Sequence, residues 1–190
     1  DQMIHFSDED MSYLRIISHE SLHGMQEYIS QHQNQEERNR KRLQQYLTDL
    51  TQHYSKLLFV RVDLGYLKEE QYQVDVSVFQ QHMDTFRQRL ANQDGCFGDL
   101  QGYAWAIEQG EKKGYHCHLL LIYDANLHWR DEWLGEEVGT YWQQCITNNQ
   151  GSYYNCNRKE NKEKFDVNGL LGIGMIHRNQ PKQVENAFRA

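Results

Sequence analysis

One run constrains this chain more than any other: Gly114-Tyr115-His116-Cys117-His118-Leu119-Leu120-Leu121-Ile122-Tyr123-Asp124. It follows directly on Gly110-Glu111-Lys112-Lys113-Gly114, a charged turn bounded by glycines. Before that turn, residues 101–109 read as a strand ending in Ile107-Glu108-Gln109. Two strands joined so closely must pair antiparallel. Side chains alternate along a strand, so His116 and His118 share one face with Leu120 and Ile122. Tyr115, Cys117, Leu119, Leu121 and Tyr123 take the opposite face, which suits a helix-covered core. The two imidazoles are then left on an open face near the turn.

The rest of the pattern builds a sheet around this hairpin. Residues 57–64 read as a central strand, with Leu58, Val60, Val62 and Leu64 toward a core and Leu57, Phe59, Arg61 and Asp63 on the other side. Residues 76–91 predict a helix with Val76, Phe79, Met83, Phe86 and Leu90 on one side. Residues 130–147 predict another, with Trp129, Trp133, Val138, Tyr141, Trp142 and Cys145 as its buried face. A polar loop is expected over 148–168 and a last strand over 170–178, after which Pro181 begins a terminal helix. From residue 57 the order is β-α-β-β-α-β. The predicted class is α+β, a ferredoxin-like or RRM-like antiparallel sheet with helices on one face. Upstream, Leu14, Ile17, Leu22 and Met25, then Leu43, Tyr46, Leu47, Leu50 and Tyr54, repeat at helical spacing. The expected organisation is an N-terminal helical arm or cap over 1–52 and an α+β domain over 53–190.

Composition narrows the partners. Twenty Lys and Arg face 27 Asp and Glu, a net charge of −7, which argues against simple coating of nucleic acid and leaves room for a local cationic groove. Cys96, Cys117, Cys145 and Cys156 form no C-x-x-C pair, so a zinc knuckle or dense disulfide framework is not expected and a reducing, cytoplasmic location is. No apolar run of 18 residues occurs, and no membrane span or signal peptide is predicted. The sequence starts at Asp1, so upstream residues or a cleaved leader are left open.

Glu108, across the turn from His116 and His118, can add a carboxylate to the two imidazoles. Such a set suits a divalent cation, with positions left for a phosphate oxygen. Paired strand histidines also occur as plain surface or hydrogen-bonded groups. Asp63 is a further candidate for site support; its plainer role is a partner for Arg61. His177 reads as structural or surface, and Cys117 as a buried thiol. In the 148–168 stretch, Tyr153, Tyr154, Asn155, Arg158 and Lys159 combine cations, amides and aromatics in a way that fits a phosphodiester backbone, as does Arg61 on the central strand. A solvated loop would read the same way.

The motifs His53-Tyr54-Ser55-Lys56-Leu57-Leu58-Phe59-Val60-Arg61-Val62-Asp63-Leu64-Gly65-Tyr66, Glu108 to His118, Gly139-Thr140-Tyr141-Trp142, Tyr154-Asn155-Cys156-Asn157 and Gly172-Ile173-Gly174-Met175-Ile176-His177 resemble the inovirus Gp2 family, also described by the YagK/YfjJ-type C-terminal domain. The resemblance covers about 54–186. That family looks like a branch of the HUH endonucleases, the rolling-circle replication initiators and relaxases of phages, plasmids and mobile elements. The resemblance implies that Glu108, His116 and His118 hold a divalent cation, Mn or Mg, which orients a phosphate of single-stranded or hairpin DNA. It also implies a tyrosine nucleophile in a Tyr-x-x-Lys pattern that forms a 5′-phosphotyrosine link. Residues 1–190 contain no such pattern; it is expected beyond residue 190. The competing expectations are a noncatalytic derivative, acting as a DNA-binding regulator or protein inhibitor, and a hydrolase using activated water.

Overall fold

The computed structural model describes residues 35–110 and 114–189. The helical pattern of 12–30 and the turn residues 111–113 lie outside the described residues. Two units divide the chain, one ending at Gln45 and one starting at Tyr46. Helix α1 is described over 35–53. Its part in the first unit is solvent-facing and carries a Glu37–Lys41 ion pair at 2.9 Å.

The second unit continues with β1 (Lys56–Tyr66), α2 (Val76–Asn92), β2 (Leu100–Gly110), β3 (Gly114–Asp124), α3 (Asp131–Tyr141), β4 (Gly151–Asn155), α4 (Lys159–Val167), β5 (Gly174–His177) and α5 (Pro181–Ala187). The sheet order is β2-β3-β1-β4, antiparallel throughout, with β5 also pairing β1. This is the predicted ferredoxin-like arrangement. Helix α2 shows why the pattern was legible. The Asp75 side chain caps its start by accepting from Val78 N–H at 2.9 Å, Gln93 ends it in the left-handed region, and Phe79, Met83, Phe86 and Leu90 form one buried stripe. That stripe meets Leu58, Val60, Val62 and Leu64 of β1 and Cys117, Leu119, Leu121 and Tyr123 of β3 in one core. Each such side chain contributes roughly 1.5–3 kcal/mol by leaving water.

Three expectations need correction. The inward stripe of α3 and the π-turn Trp142–Ile146 that extends it is Leu134, Val138, Trp142 and Ile146. Trp133 lies one residue, about 100° of helix, off that stripe. It is exposed and stacked under the Arg130 guanidinium at 5.3 Å, while Trp129 is 71% exposed and Cys145 is exposed as well. Second, the stretch 148–168 is no loop: it holds β4 and α4. Strand β4 escaped notice because it turns Tyr153 and Asn155, not aliphatic residues, toward α3. Gly135 and Gly139 leave room for them, since a Cβ there would collide with Asn155 and Tyr153. The last strand is correspondingly short. Strands β4 and β5 divide one edge of β1, pairing Val62–Tyr66 and Lys56–Phe59 respectively. Between them the fully buried Asn157 takes the place of a strand: its Oδ1 accepts from Arg61 N–H at 2.8 Å and its Nδ2 donates to Phe59 C=O at 2.9 Å. Asp131 Oδ2 steadies that amide at 2.8 Å and accepts from Lys162 Nζ at 2.6 Å.

Third, the second sheet face is not wholly open. Leu57, Phe59 and Ile122 are sealed by Leu47 of α1, Ile176 of β5 and Ala187 of α5. Among the described residues, nothing seals the end bearing Arg61, Asp63 and the histidines in this way.

Candidate metal centre

Strand register assembles the site. On the open face, Glu108 of β2 stands directly opposite His116 of β3, and Asp63 of β1 directly opposite His118. Directly opposed side chains lie within reach of one another. Gly114, at φ +62°, returns the chain from the turn in a conformation that other residues adopt poorly.

Glu108 Oε2 lies 3.0 Å from His116 Nε2 and 3.5 Å from His118 Nε2. One ligand atom from each of the three residues falls within 4.8 Å of the others. The remaining ring nitrogens are held from behind: His116 Nδ1 is 3.3 Å from Gly114 C=O, and His118 Nδ1 is 2.8 Å from Asp63 Oδ1. Arg61 Nη2 is 3.4 Å from the same Nδ1, too long to compete with the carboxylate, and its Nε donates to Asp63 Oδ1 at 3.2 Å. Both nitrogens of each ring thus face an oxygen that only accepts, and a neutral imidazole has one N–H to give. With that proton on Nδ1, both Nε2 lone pairs join the Glu108 carboxylate in one convergent set of donor atoms. The donor set therefore fits a divalent metal, with the carboxylate-to-imidazole support usual behind metal-bound histidines. With Nε2–H turned to the carboxylate instead, hydrogen bonding to His116, then the nearby His118, lowers the Glu108 pKa and favours its anionic form, the form that ligates a cation.

A groove of about 550 Å³ runs past the cluster, lined by Asp63, His116, His118, Lys68, Gln71 and Tyr154 among others. Its floor beside His116 is kept low by Gly65, where a Cβ would sit 3.8 Å from His116 Cβ and 3.7 Å from Ser152 Oγ. Lys68 and Gln71 were not among the expected site residues; their only signal was that they follow the strand carrying Asp63.

The expected nucleic-acid contacts separate into two groups. Arg61 and Tyr154 stand beside the cluster; Tyr154 is the β4 partner of Asp63, and its hydroxyl donates to Asn161 Oδ1 at 3.2 Å. Tyr153, Asn155 and Arg158 instead converge on Glu136. The Tyr153 hydroxyl donates to Oε2 at 2.9 Å, while Asn155 Nδ2 and Arg158 Nε donate to Oε1 at 3.0 and 2.8 Å. Asn155 is fully enclosed, and its Oδ1 also accepts from Asn157 N–H at 2.9 Å, so it braces the wall and reaches no ligand. The Arg158 hydrogen bond, chiefly, holds the Glu136 pKa at about 2. Lys159 is exposed on α4, 3.8 Å from Glu163. The sequence offered no signal for Glu136 beyond its place on a helix.

No helix among the described residues is long and apolar enough to cross a membrane. No curated protein and no solved structure matches the chain. Residues 17–168 match the family model of the YagK/YfjJ C-terminal domain. That span reaches further into the N-terminal segment than the motifs did and stops short of β5. It takes in Asp63, Glu108, His116, His118 and Tyr154, and the chain belongs to the YagK/YfjJ C-terminal domain family.

Proposed function

We propose that this chain is a replication-initiator-like, metal-dependent domain that nicks and rejoins single-stranded DNA for a phage, plasmid or mobile element. One observation carries the reading: Glu108, His116 and His118 converge on an open sheet end beside a groove, in a chain of this family. These three residues would hold a divalent cation, Mn or Mg, the two imidazoles favouring Mn. When bound, the ion polarises a phosphoryl oxygen. Asp63 keeps His118 in the tautomer that presents Nε2. Arg61 is fixed by Asp63 at the rim of the site, where its cation favours a phosphate. A groove on an otherwise acidic chain suits a locally engaged strand, single or extruded from a hairpin, better than a coated duplex. The four free cysteines support a reducing, cytoplasmic setting.

The hydroxyls of Tyr153 and Tyr154 are engaged by Glu136 and Asn161, so nicking by a tyrosine would call on a nucleophile other than these two. The same observation favours the second reading, a noncatalytic derivative that binds DNA or a protein partner as a regulator or inhibitor. Full-length protein, end-labelled hairpin DNA and Mn²⁺ distinguish the two. A denaturation-resistant protein–DNA band, lost in His116→Ala, is the expected result. Cleavage without an adduct assigns hydrolysis by activated water. DNA binding without cleavage assigns the regulator, and neither binding nor cleavage sinks the nuclease reading.

A further inference from the structure

We infer that a second groove, between α4 and the open end of the sheet, seats a nucleobase of the strand whose phosphate lies at the Glu108–His116–His118 cluster; the inference rests on the functional reading above. The groove encloses about 470 Å³, within the ~300–1,000 Å³ of ligand sites. Phe165, Leu171 and Ile173 give it apolar walls, while Arg61, Asp63 and Tyr154 form its border toward the cluster. Asp63 and Tyr154 also line the groove that passes the histidines, so the two grooves share a wall. A strand running past the cluster therefore meets an apolar slot within one residue of the metal ligands' own support. An apolar slot with a few polar groups at its rim matches a base, which has two hydrophobic π-faces and a polar edge.

Helix α4 supplies the second observation. It buries none of its nine residues and lacks a side-chain cap at its start. A helix of that length is marginal without packing. Its Phe165, and Tyr154, whose hydroxyl bonds Asn161 of the same helix, both line the groove and are each 48% exposed. Stacking a base on these aromatics gives the helix the packing it lacks. Every base has a π-face, so the slot is tolerant of sequence.

The test uses the full chain, Mn²⁺ and a dodecamer of deoxyuridylate carrying 5-iodouracil, cross-linked by light and mapped by peptide mass. Cross-links are expected on Phe165 or Tyr154. Phe165→Ala should weaken binding of the unsubstituted dodecamer about tenfold by fluorescence anisotropy. Mn²⁺ affinity, read by electron paramagnetic resonance, and the melting temperature should stay unchanged, because Phe165 is half-exposed and supplies no ligand atom. Binding that requires His116 but gives cross-links only elsewhere, with Phe165→Ala at wild-type affinity, overturns the base slot alone and leaves the groove to a protein segment. Failure of the wild-type chain to bind the dodecamer with Mn²⁺ overturns the functional reading and the slot together.

Discussion

Two carboxylates, Glu108 and Glu136, each collect several partners, and they do opposite work. Glu136 accepts from Arg158, Asn155 and Tyr153, all of them groups that keep their protons at neutral pH. Its lone pairs are committed, and it ties β4 and the segment after it to α3. Glu108 faces two imidazole nitrogens that can give up their protons, since Gly114 C=O and Asp63 offer an acceptor on the far side of each ring. With the protons there, its lone pairs meet other lone pairs. A carboxylate ringed by permanent donors is mortar; one ringed by nitrogens that can turn acceptor is half of a socket for a cation. The lesson is that proton placement, not the number of contacts, separates a structural acid from a ligand.

Removing the socket should have the largest effect. His116→Ala or Glu108→Gln is expected to weaken Mn²⁺ binding by about 100-fold or more in calorimetric titration, leaving the melting temperature of the metal-free protein within a few degrees. A variant that unfolds instead would place Glu108 and His116 with the mortar. Asp63→Asn comes next. It leaves the ligand atoms in place but weakens the support of His118, so a roughly 10–100-fold loss of Mn²⁺ affinity is expected. Glu136→Gln should do the reverse, costing about 1–3 kcal/mol in urea unfolding by weakening charged hydrogen bonds while Mn²⁺ affinity stays at the wild-type value.

Acid sharpens the same contrast. The folded Glu136 pKa of about 2 lies below the ordinary glutamate value of roughly 4.3. A depressed carboxylate stabilises the fold fully above the unfolded value, and that contribution is lost as pH falls from about 4.3 toward 2. Unfolding free energy measured against pH should slope down across that window, and less steeply in Glu136→Gln. The smallest effect belongs to Trp129→Ser. With 71% of the residue exposed, stability should move by no more than about 0.5 kcal/mol; a larger loss would mean that this tryptophan is covered after all.

The sequence made the sheet core and the cluster legible for one reason: both rest on strict alternation. Period two placed Cys117, Leu119, Leu121 and Tyr123 inward, and His116 and His118 outward, with Glu108 across a short turn. Strand β4 was hidden because its inward residues are a tyrosine and an amide that pack on helix glycines, an arrangement without a hydropathic signature. The capped half of the second face was hidden because Leu57, Phe59 and Ile122 find their cover in α1, β5 and α5, which are distant in sequence. Glu136 and Asn157 were hidden because polar residues reveal their roles only when their partners are in place. The candidate contacts Tyr153, Asn155 and Arg158 read as a binding loop for the same reason: their composition is that of a ligand site, and an internal acid already occupies it.

Asn157 has a consequence for how such a protein can diversify. By closing Phe59 C=O and Arg61 N–H with one side chain, it frees residues 158–173 from any duty in the sheet's hydrogen-bond ladder. That segment includes α4, which overhangs the cluster's neighbouring groove. As long as Arg158, Asn161 and Lys162 keep their bonds to Glu136, Tyr154 and Asp131, exchange of the exposed residues 163–168 leaves the strand register and the ligand atoms in place. The fold thus separates a fixed sheet end, which carries the cluster, from an exposed stretch of α4 that can change without it.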